Sequence, residues 1–250
     1  KLTGRHISRE LFPFSYNEFL EYKGQNPGPE SFNVYLESGG FPEMIRTDLA
    51  EMLMHTFNDV VIRDIALRYG IKNTSILQQL AVWLISNTGK PISGNSLRKI
   101  FPIGSSSSIM DYLNHFAEAY LFFFVPKFSY SPKVQLVNPR KVYSIDTGLV
   151  AANSLSFSND KGRLLENLVF LQLRRNYHDI FYFSEKRECD FVVFNKGKAK
   201  EIIQSCWELN RDNLDREIEG MVEALDFFGS KTGLIITFDQ SDKFTIGEKT

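Results

Sequence analysis

The alternation of apolar and polar residues is clearest in the C-terminal part of the chain. Apolar residues recur three and four positions apart over Gly162–Tyr177, which predicts a helix with one buried face. Three short apolar runs follow, and Asn195–Lys198 contains the glycine typical of a tight hairpin turn. Arg211–Leu225 predicts a second amphipathic helix. The predicted order is helix, three strands, helix and strand, and the three consecutive strands are Ile180–Phe183, Glu188–Phe194 and Lys200–Trp207.

Polar residues interrupt these apolar patterns at a few positions. Glu166 lies at the border of the apolar stripe of the first helix, and Asp190 lies among apolar neighbours in the middle strand. Gln204 shares a face of the next strand with Cys206, since strand side chains alternate with a period of two. A carboxylate in apolar surroundings needs a charged partner or a metal. Phosphodiester hydrolysis by hard cations needs converging oxygen ligands, and the candidate ligands for Mg²⁺ or Mn²⁺ are Glu166 and Asp190.

The order of elements and these residues resemble the PD-(D/E)xK nuclease superfamily. The resemblance matches Asp190 to the strand aspartate of that family, Gln204 to its Asp/Glu/Gln position and Glu166 to its helix glutamate, which implies these three as catalytic residues. Cys206 stands where the family has a lysine, and a thiol prefers softer metals than magnesium. Lys200, on the same strand face as Gln204, is a candidate substitute. Three interpretations remain open: a vestigial polar cluster without catalysis, a metal-binding site of poor activity, and an active nuclease.

The middle of the chain predicts three helices followed by a hairpin, which is the order of a winged helix. The predicted helices are Ser75–Asn87, Ser93–Lys99 and Ser105–Tyr120, and the predicted strands are Leu121–Phe128 and Arg140–Ile145. In DNA-binding members the start of the third helix enters the major groove, and hydroxyl and N–H groups there can bind phosphate. The candidate nucleic-acid-binding residues are Ser105, Ser106, Ser107, Ser108, Lys127, Lys133, Arg140 and Lys141. Because the third helix continues with Asp111 and Glu118, a role in packing or protein contact remains the open alternative.

The N-terminal part predicts a mainly helical segment after a short strand, Ile7–Phe12. Ser15 precedes a helix and has Glu18 three residues later, which is the spacing of a capping box. A second helix in Tyr35–Glu43 is stopped by a double glycine, and Leu49–Tyr69 is a third helix.

Several motifs of the chain, in this order, resemble a family of predicted prokaryotic AAA+-type ATPases. The matching segments are Leu2–Arg5, Pro13–Leu20, Tyr35–Glu43, Asp59–Asp64 and Val142–Leu149. In that family they follow the nucleotide-binding core, so the resemblance implies an upstream core that binds ATP and Mg²⁺. The chain begins at Lys1 and has no Gly-x-x-x-x-Gly-Lys-Ser/Thr loop, and we expect no ATP hydrolysis by this region alone. Arg5 is either an arginine finger for that core or a solvated arginine.

Composition narrows the range of partners. The chain has 250 residues and a net charge of −1, so any contact with nucleic acid must come from a local patch. Its 2 cysteines make no disulfide scaffold, and its 4 histidines have no zinc-site spacing. We find no apolar run of transmembrane length, and we expect a cytoplasmic protein.

Together these patterns predict an α+β multi-domain protein. Residues 1–72 are expected to hold the end of the ATPase core and a helical linker, 73–150 a winged-helix-like domain, and 151–250 an α/β restriction-endonuclease-like domain of αβββαβ order. The resemblance implies a nucleic-acid-associated C-terminal region of an AAA+-type ATPase, with the tail as a binding module. The alternatives are an active metal-dependent DNA nuclease and a protein-interaction scaffold without nucleic acid. The expected partners are DNA, the missing ATPase core and further copies of the chain, with no membrane.

Overall fold

Two small β-sheets and eleven α-helices make up the described parts of the chain, residues 9–155 and 160–250 of the computed structural model. This confirms the predicted mixture of helices and strands. Arg5, the candidate arginine finger, lies outside the described residues, as does the start of the predicted strand Ile7–Phe12, and residues 9–12 form no strand. Among the described residues no helix is both long and apolar enough to cross a membrane.

The N-terminal region is helical, as predicted. Its helices are α1 (Tyr16–Lys23), α2 (Pro29–Ser38), α3 (Pro42–Thr47) and α4 (Glu51–Asp59), and α4 continues as a π-helical stretch over Val60–Leu67. Ser15 and Glu18 form the predicted capping box: the Ser15 side chain accepts from the Glu18 N–H, and Glu18 Oε2 accepts from the Ser15 N–H at 2.7 Å. The double glycine ends α2. Gly39 has a φ of +72°, a backbone conformation that residues with a Cβ rarely adopt.

Asp146 joins this helical region to a helix much later in the chain. It caps α9 (Thr147–Asn153) by accepting from the Leu149 N–H at 3.0 Å, and it accepts from the Gly40 N–H at 2.6 Å. A Cβ at Gly148 would lie 2.2 Å from the Ser38 carbonyl oxygen, so this close approach requires glycine. The two segments that resemble the ATPase family, Tyr35–Glu43 and Val142–Leu149, therefore meet in space.

The middle region has the predicted helices and hairpin, together with two elements that were missed. Its helices are α5 (Thr74–Ser86), α6 (Gly94–Ile100), α7 (Ser106–Glu118) and α8 (Pro132–Val137), and its strands are β1 (Pro91–Ile92), β2 (Phe122–Pro126) and β3 (Arg140–Ser144). The strands pair antiparallel in the order β1-β3-β2. Strand β1, which has only two residues, was not predicted, and neither was α8, which lies between the two predicted strands.

The C-terminal region has the predicted order of elements. It contains α10 (Lys161–Arg174), β4 (Ile180–Ser184), β5 (Glu188–Asn195), β6 (Lys198–Ser205), α11 (Leu214–Phe228) and β7 (Leu234–Ile236). The sheet order is β4-β5-β6-β7, with β6 and β7 parallel and the other pairs antiparallel. The predicted hairpin turn is Lys196-Gly197, and both residues have positive φ, as a two-residue turn of this kind requires.

The C-terminal sheet is covered on both faces, and one face also meets the small sheet. Val192 and Ile202 pack under α11, whereas Phe191 packs under α10 in the same cluster as Tyr143 of β3. The Tyr143 ring stacks on Phe170 of α10 with ring centroids 4.5 Å apart. This shared core holds β3 against α10 and brings the two sheets together at the candidate site.

Asp146 is expected to make the stability of the fold depend on pH. Burial raises the pKa of Asp146 from 3.8 to about 6, although the hydrogen bonds from Gly40 and Leu149 oppose the shift. The folded protein therefore binds a proton that the unfolded chain releases. This contribution to stability is fully present below about pH 3.8 and is lost as the pH rises through about 6.

We expect the difference in free energy of unfolding between the wild type and Asp146→Asn to shrink by about 2 kcal/mol as the pH rises from about 4 to about 6.5. Urea denaturation at each pH measures this difference. Asp111→Asn, at an exposed aspartate of α7, is the control and should show no comparable change. A wild-type advantage that grows with pH would contradict the assignment.

Candidate functional site

Glu166 is held between two other parts of the chain. The side chain of Asp160 caps α10 by accepting from the Arg163 N–H, which places Glu166 in the second turn. Glu166 Oε1 accepts from the Tyr143 hydroxyl at 2.7 Å. On the other side, a Cβ at Gly89 would lie 2.9 Å from Glu166 Oε2, and Gly89 has a φ of +81°. Glycine at this turn leaves room for the carboxylate.

A β-bulge sets the direction of Asp190. The register of β4 and β5 shifts between Phe181 and Phe183, so that Tyr182 stands opposite both Asp190 and Phe191. Such an extra residue interrupts the alternation of side chains and re-aims them. Because side chains on a regular strand alternate with a period of two, the sequence alone does not reveal this bulge.

The bulge leaves Asp190 in reach of both β6 and β3. Asp190 Oδ2 accepts from the Ser205 N–H at 2.9 Å and from the Ser205 hydroxyl at 3.2 Å. Its Oδ1 accepts from the ammonium of Lys141 at 2.8 Å. The side chain is buried, so these three donors compensate for the water that it has lost.

The positive charge of the site comes from the small sheet. Lys141 is 1% exposed, and its Nζ lies 3.0 Å from Glu166 Oε1, 2.8 Å from Asp190 Oδ1 and 2.8 Å from Glu188 Oε1. This corrects the prediction that Lys141 contacts phosphate from the hairpin surface, because a buried ammonium bound to three carboxylates does not face solvent. Lys141 and Tyr143 are two residues apart on β3 and both bind Glu166, a period-two signal that was present in the sequence.

Burial and neighbouring charges shift the titration of this cluster. Burial raises the pKa of Glu166 to about 7; the Asp190 carboxylate adds to the shift and Lys141 opposes it. Burial alone would lower the pKa of Lys141, but the surrounding carboxylates, Asp190 foremost, hold it well above its usual value. Burial also raises the pKa of Tyr143. At neutral pH Lys141 is therefore charged, and the Tyr143 hydroxyl remains a donor.

Gln204 joins the cluster through the backbone of Asp190. Its Oε1 accepts from the Asp190 N–H at 2.9 Å, and its Nε2 donates to Glu217 Oε2 of α11 at 2.6 Å. The structure therefore brings Glu166, Asp190 and Gln204 together in one cleft of about 460 Å³. The other residues that line this cleft are Lys186, Arg187, Glu188, Ser205, Arg216 and Glu217.

Neither Cys206 nor Lys200 supplies the lysine that the nuclease pattern would require. Cys206 Sγ lies 3.2 Å from the Glu208 carbonyl oxygen, and burial raises the pKa of its thiol, which stays neutral. Lys200 binds the Tyr177 hydroxyl and pairs with Glu201, near the start of β6, whereas Gln204 lies near its end. The suggestion that Lys200 substitutes for the missing lysine is therefore wrong.

The cleft does not fit a divalent metal in this arrangement. Within residues 9–155 and 160–250, no three His, Cys, Asp or Glu side chains are placed to hold a metal ion. The candidate ligands Glu166 and Asp190 are together, but both bind the Lys141 ammonium. Mg²⁺ or Mn²⁺ binds carboxylate oxygens at about 2.0–2.2 Å and would lie beside this fixed positive charge.

The serines at the start of α7 bind one another and α6. The Ser105 hydroxyl accepts from the Ser108 N–H at 3.1 Å and lies 2.7 Å from Ser107 Oγ. Ser106 donates to Asn95 of α6 at 3.1 Å. These hydrogen bonds fix the start of the helix, and Ser107 is the exposed member of the group. The role of these serines in phosphate binding stays a prediction.

The remaining basic candidates lie between β2 and β3 and at the first residue of β3. We refer to residues 127–140 as the wing. Lys127 pairs with Glu185 at 3.4 Å, Lys133 is exposed in the first turn of α8, and Arg140 begins β3. The wing also exposes apolar side chains, which are Tyr130, Val134, Leu136 and Val137. It therefore presents basic and apolar groups side by side.

Comparison with known proteins identifies relatives without an assigned function. Residues 29–161 match a family model described as "Domain of unknown function (DUF8612)". The uncharacterized protein MJ1544 of Methanocaldococcus jannaschii is 34% identical over an alignment of 276 residues. That alignment covers 99% of this chain and 61% of that protein. An uncharacterized protein of Haemophilus influenzae is 29% identical over 218 residues, covering 81% of this chain and 53% of that protein. The chain thus spans less than two thirds of either relative, and no solved structure matches it.

Removal of the Lys141 charge is expected to destabilise the fold. Lys141→Met keeps most of the side-chain volume but leaves Glu166, Asp190 and Glu188 without their shared counter-charge. Loss of one partner from a buried ion pair costs about 3–5 kcal/mol, and we expect the free energy of unfolding in urea to fall by that amount. The control Lys133→Met, at an exposed lysine, should change it by less than about 0.5 kcal/mol. Equal effects of the two substitutions would contradict this reading of the cluster.

Proposed function

The chain belongs to the family described as a domain of unknown function (DUF8612), and on that premise we propose that it is a nucleic-acid-binding region of an AAA+-type ATPase whose nuclease-like tail binds without cleaving. One observation carries the proposal. Glu166, Asp190 and Gln204 share one cleft, while the position two residues after Gln204 holds a neutral thiol. This arrangement is the one that the resemblance to the nuclease superfamily implies for Glu166 and Asp190, with a thiol in place of the expected cation on β6.

The topology of the tail supports its nuclease-like character. A helix, three antiparallel strands, a helix and a parallel strand follow one another, and the sheet order equals the chain order. The PD-(D/E)xK resemblance implies this αβββαβ order, with the helix glutamate and the strand aspartate turned toward each other. Glu166 and Asp190 both contact Lys141 Nζ, which agrees with that implication.

The proposed relation to AAA+-type ATPases is supported by two motifs that contact each other in the fold. The glycine segment Tyr35–Glu43 and the segment Val142–Leu149 meet at Asp146, so two of the motifs that resemble the family form one structural joint. ATP and Mg²⁺ would bind in the upstream core implied by the resemblance. Arg5 would reach that core as an arginine finger.

A local surface on the winged-helix-like region would contact the nucleic acid. The overall charge of −1 provides no global attraction, so phosphate contacts depend on a few exposed groups. Lys133 on the wing and Ser107 at the start of α7 are exposed and carry a cation and a hydroxyl. Basic residues at a wing and hydroxyl groups at a helix start are groups that can contact phosphates.

We expect the protein to bind duplex DNA measurably in fluorescence anisotropy at about 50 mM salt, with affinity falling as salt rises. Lys133→Glu should weaken binding several-fold and reduce the salt dependence by about one released ion, because one phosphate contact is lost. Lys243→Glu makes the same charge change at an exposed lysine after β7 and should have a much smaller effect. Absence of binding at low salt would overturn the proposal and favour a protein-interaction scaffold.

A second candidate, an active metal-dependent DNA nuclease, is favoured by one observation. Lys141 of β3 places its ammonium beside Glu166 and Asp190. It would there supply the positive charge that the lysine of the nuclease pattern supplies from the strand of Gln204. This candidate predicts DNA cleavage in Mg²⁺ or Mn²⁺ that Asp190→Asn abolishes. Our proposal predicts that the wild type and Asp190→Asn give the same background level of cleaved DNA on a gel. Cleavage that requires Asp190 would replace the binding function with the catalytic one.

A further inference from the structure

We propose that the Lys141 ammonium occupies the place of a divalent cation between Glu166 and Asp190, so that a residue of the small sheet competes with metal for the oxygens of this acidic pair. The inference deepens the proposed function and rests on it only in treating the tail as nuclease-like. The Lys141 ammonium and a free metal ion would compete for the same carboxylate oxygen atoms of Glu166 and Asp190.

The ammonium binds the oxygens that a metal would need. Lys141 Nζ lies 3.0 Å from Glu166 Oε1 and 2.8 Å from Asp190 Oδ1. Manganese or magnesium bound to either of these oxygens at about 2.1 Å would lie within about 5 Å of the ammonium nitrogen, since both contact the same atom. Two cations at that separation repel each other.

The remaining contacts of these carboxylates also oppose a metal. Glu166 Oε1 accepts a second hydrogen bond from the Tyr143 hydroxyl at 2.7 Å. Asp190 Oδ2 accepts from both the N–H and the hydroxyl of Ser205. A metal bound to Glu166 Oε1 or Asp190 Oδ2 would compete with these donors, and Tyr143 is fully buried and stacked on Phe170.

The position of Lys141 is fixed by its strand. Its backbone lies in β3, the central strand of the small sheet, opposite Pro91 of β1 and Val125 of β2. The side chain of Lys141 is only 2% exposed, and its ammonium binds carboxylates of α10 and β5. The cluster thus holds the small sheet and the tail together.

Charge balance indicates what the pocket would accept without the ammonium. Glu166, Glu188 and Asp190 surround a single positive charge. Removal of that charge while the carboxylates remain creates an acidic pocket with oxygen ligands, which hard divalent cations prefer. A metal site absent from the wild type should therefore appear when Lys141 is replaced by a neutral side chain.

The test is a manganese titration of the intact chain, in which electron paramagnetic resonance measures free Mn²⁺. We expect no saturable site in the wild type up to roughly 1 mM Mn²⁺, a concentration that still fills weak oxygen-ligand sites. Lys141→Met should bind one Mn²⁺ with a dissociation constant of about 0.1 mM or lower, at least about tenfold below that concentration. Asp190→Asn added to Lys141→Met should remove this binding, and the surface control Lys133→Met should behave like the wild type.

A second variant covers the case in which Lys141→Met does not fold. Lys141→Met with Glu188→Gln keeps Glu166 and Asp190 and removes one uncompensated carboxylate, and its melting temperature should rise on addition of Mn²⁺ while that of the wild type stays constant. Saturable wild-type binding that Asp190→Asn abolishes would overturn the inference. A folded Lys141→Met protein, or a folded double variant, that gains no Mn²⁺ binding would also overturn it. DNA binding by the wild type is measured separately, so failure of metal exclusion and failure of the proposed function are distinguishable.

Discussion

The buried ammonium of Lys141 imposes the strongest constraint on this structure. A charge removed from water must be compensated by opposite charge at hydrogen-bonding distance, and here the compensation comes from α10 and β5. Strand β3 must therefore lie where its lysine reaches both elements. The stack of Tyr143 on Phe170 provides the apolar contact that holds the same strand in place. The relative position of the two sheets follows from these interactions.

A similar arrangement joins the helical N-terminal region to the rest of the chain. Asp146 has its carboxylate bound to backbone N–H groups of α9 and of the double-glycine segment. Gly39 and Gly148 provide the space for this contact, since a Cβ at either of them would lie within 3 Å of Asp146 Oδ1. The glycines and the aspartate of these two segments thus have a packing role in this region. A role in nucleotide chemistry is not required to explain them.

Ion pairs and hydrogen bonds within the protein reduce the number of groups that could bind nucleic acid. Lys141 forms ion pairs with the acidic cluster, and Lys127 pairs with Glu185. The serines of α7 form hydrogen bonds with one another and with α6. Fewer groups are therefore available for phosphate than the sequence suggested. Binding of nucleic acid would depend on a small number of exposed residues and would be sensitive to salt. The same cluster gives the tail an acidic pocket whose counter-charge is built into the protein.

The sequence by itself determined the local structure and much of the candidate site. The helical and strand periodicities predicted α5, α7, α10 and the strands of the tail to within a few residues, and side-chain spacing identified Glu166, Asp190 and Gln204. It missed β1, since two residues carry no periodicity, and the bulge at Asp190, since an extra residue is visible only against its partner strand. The role of Lys141 also depended on tertiary structure. The residues that neutralise it are 25 and 49 positions away, and no local pattern encodes such a contact. Only the packing of β3 against α10 turned a lysine that looked exposed into the buried cation of the site.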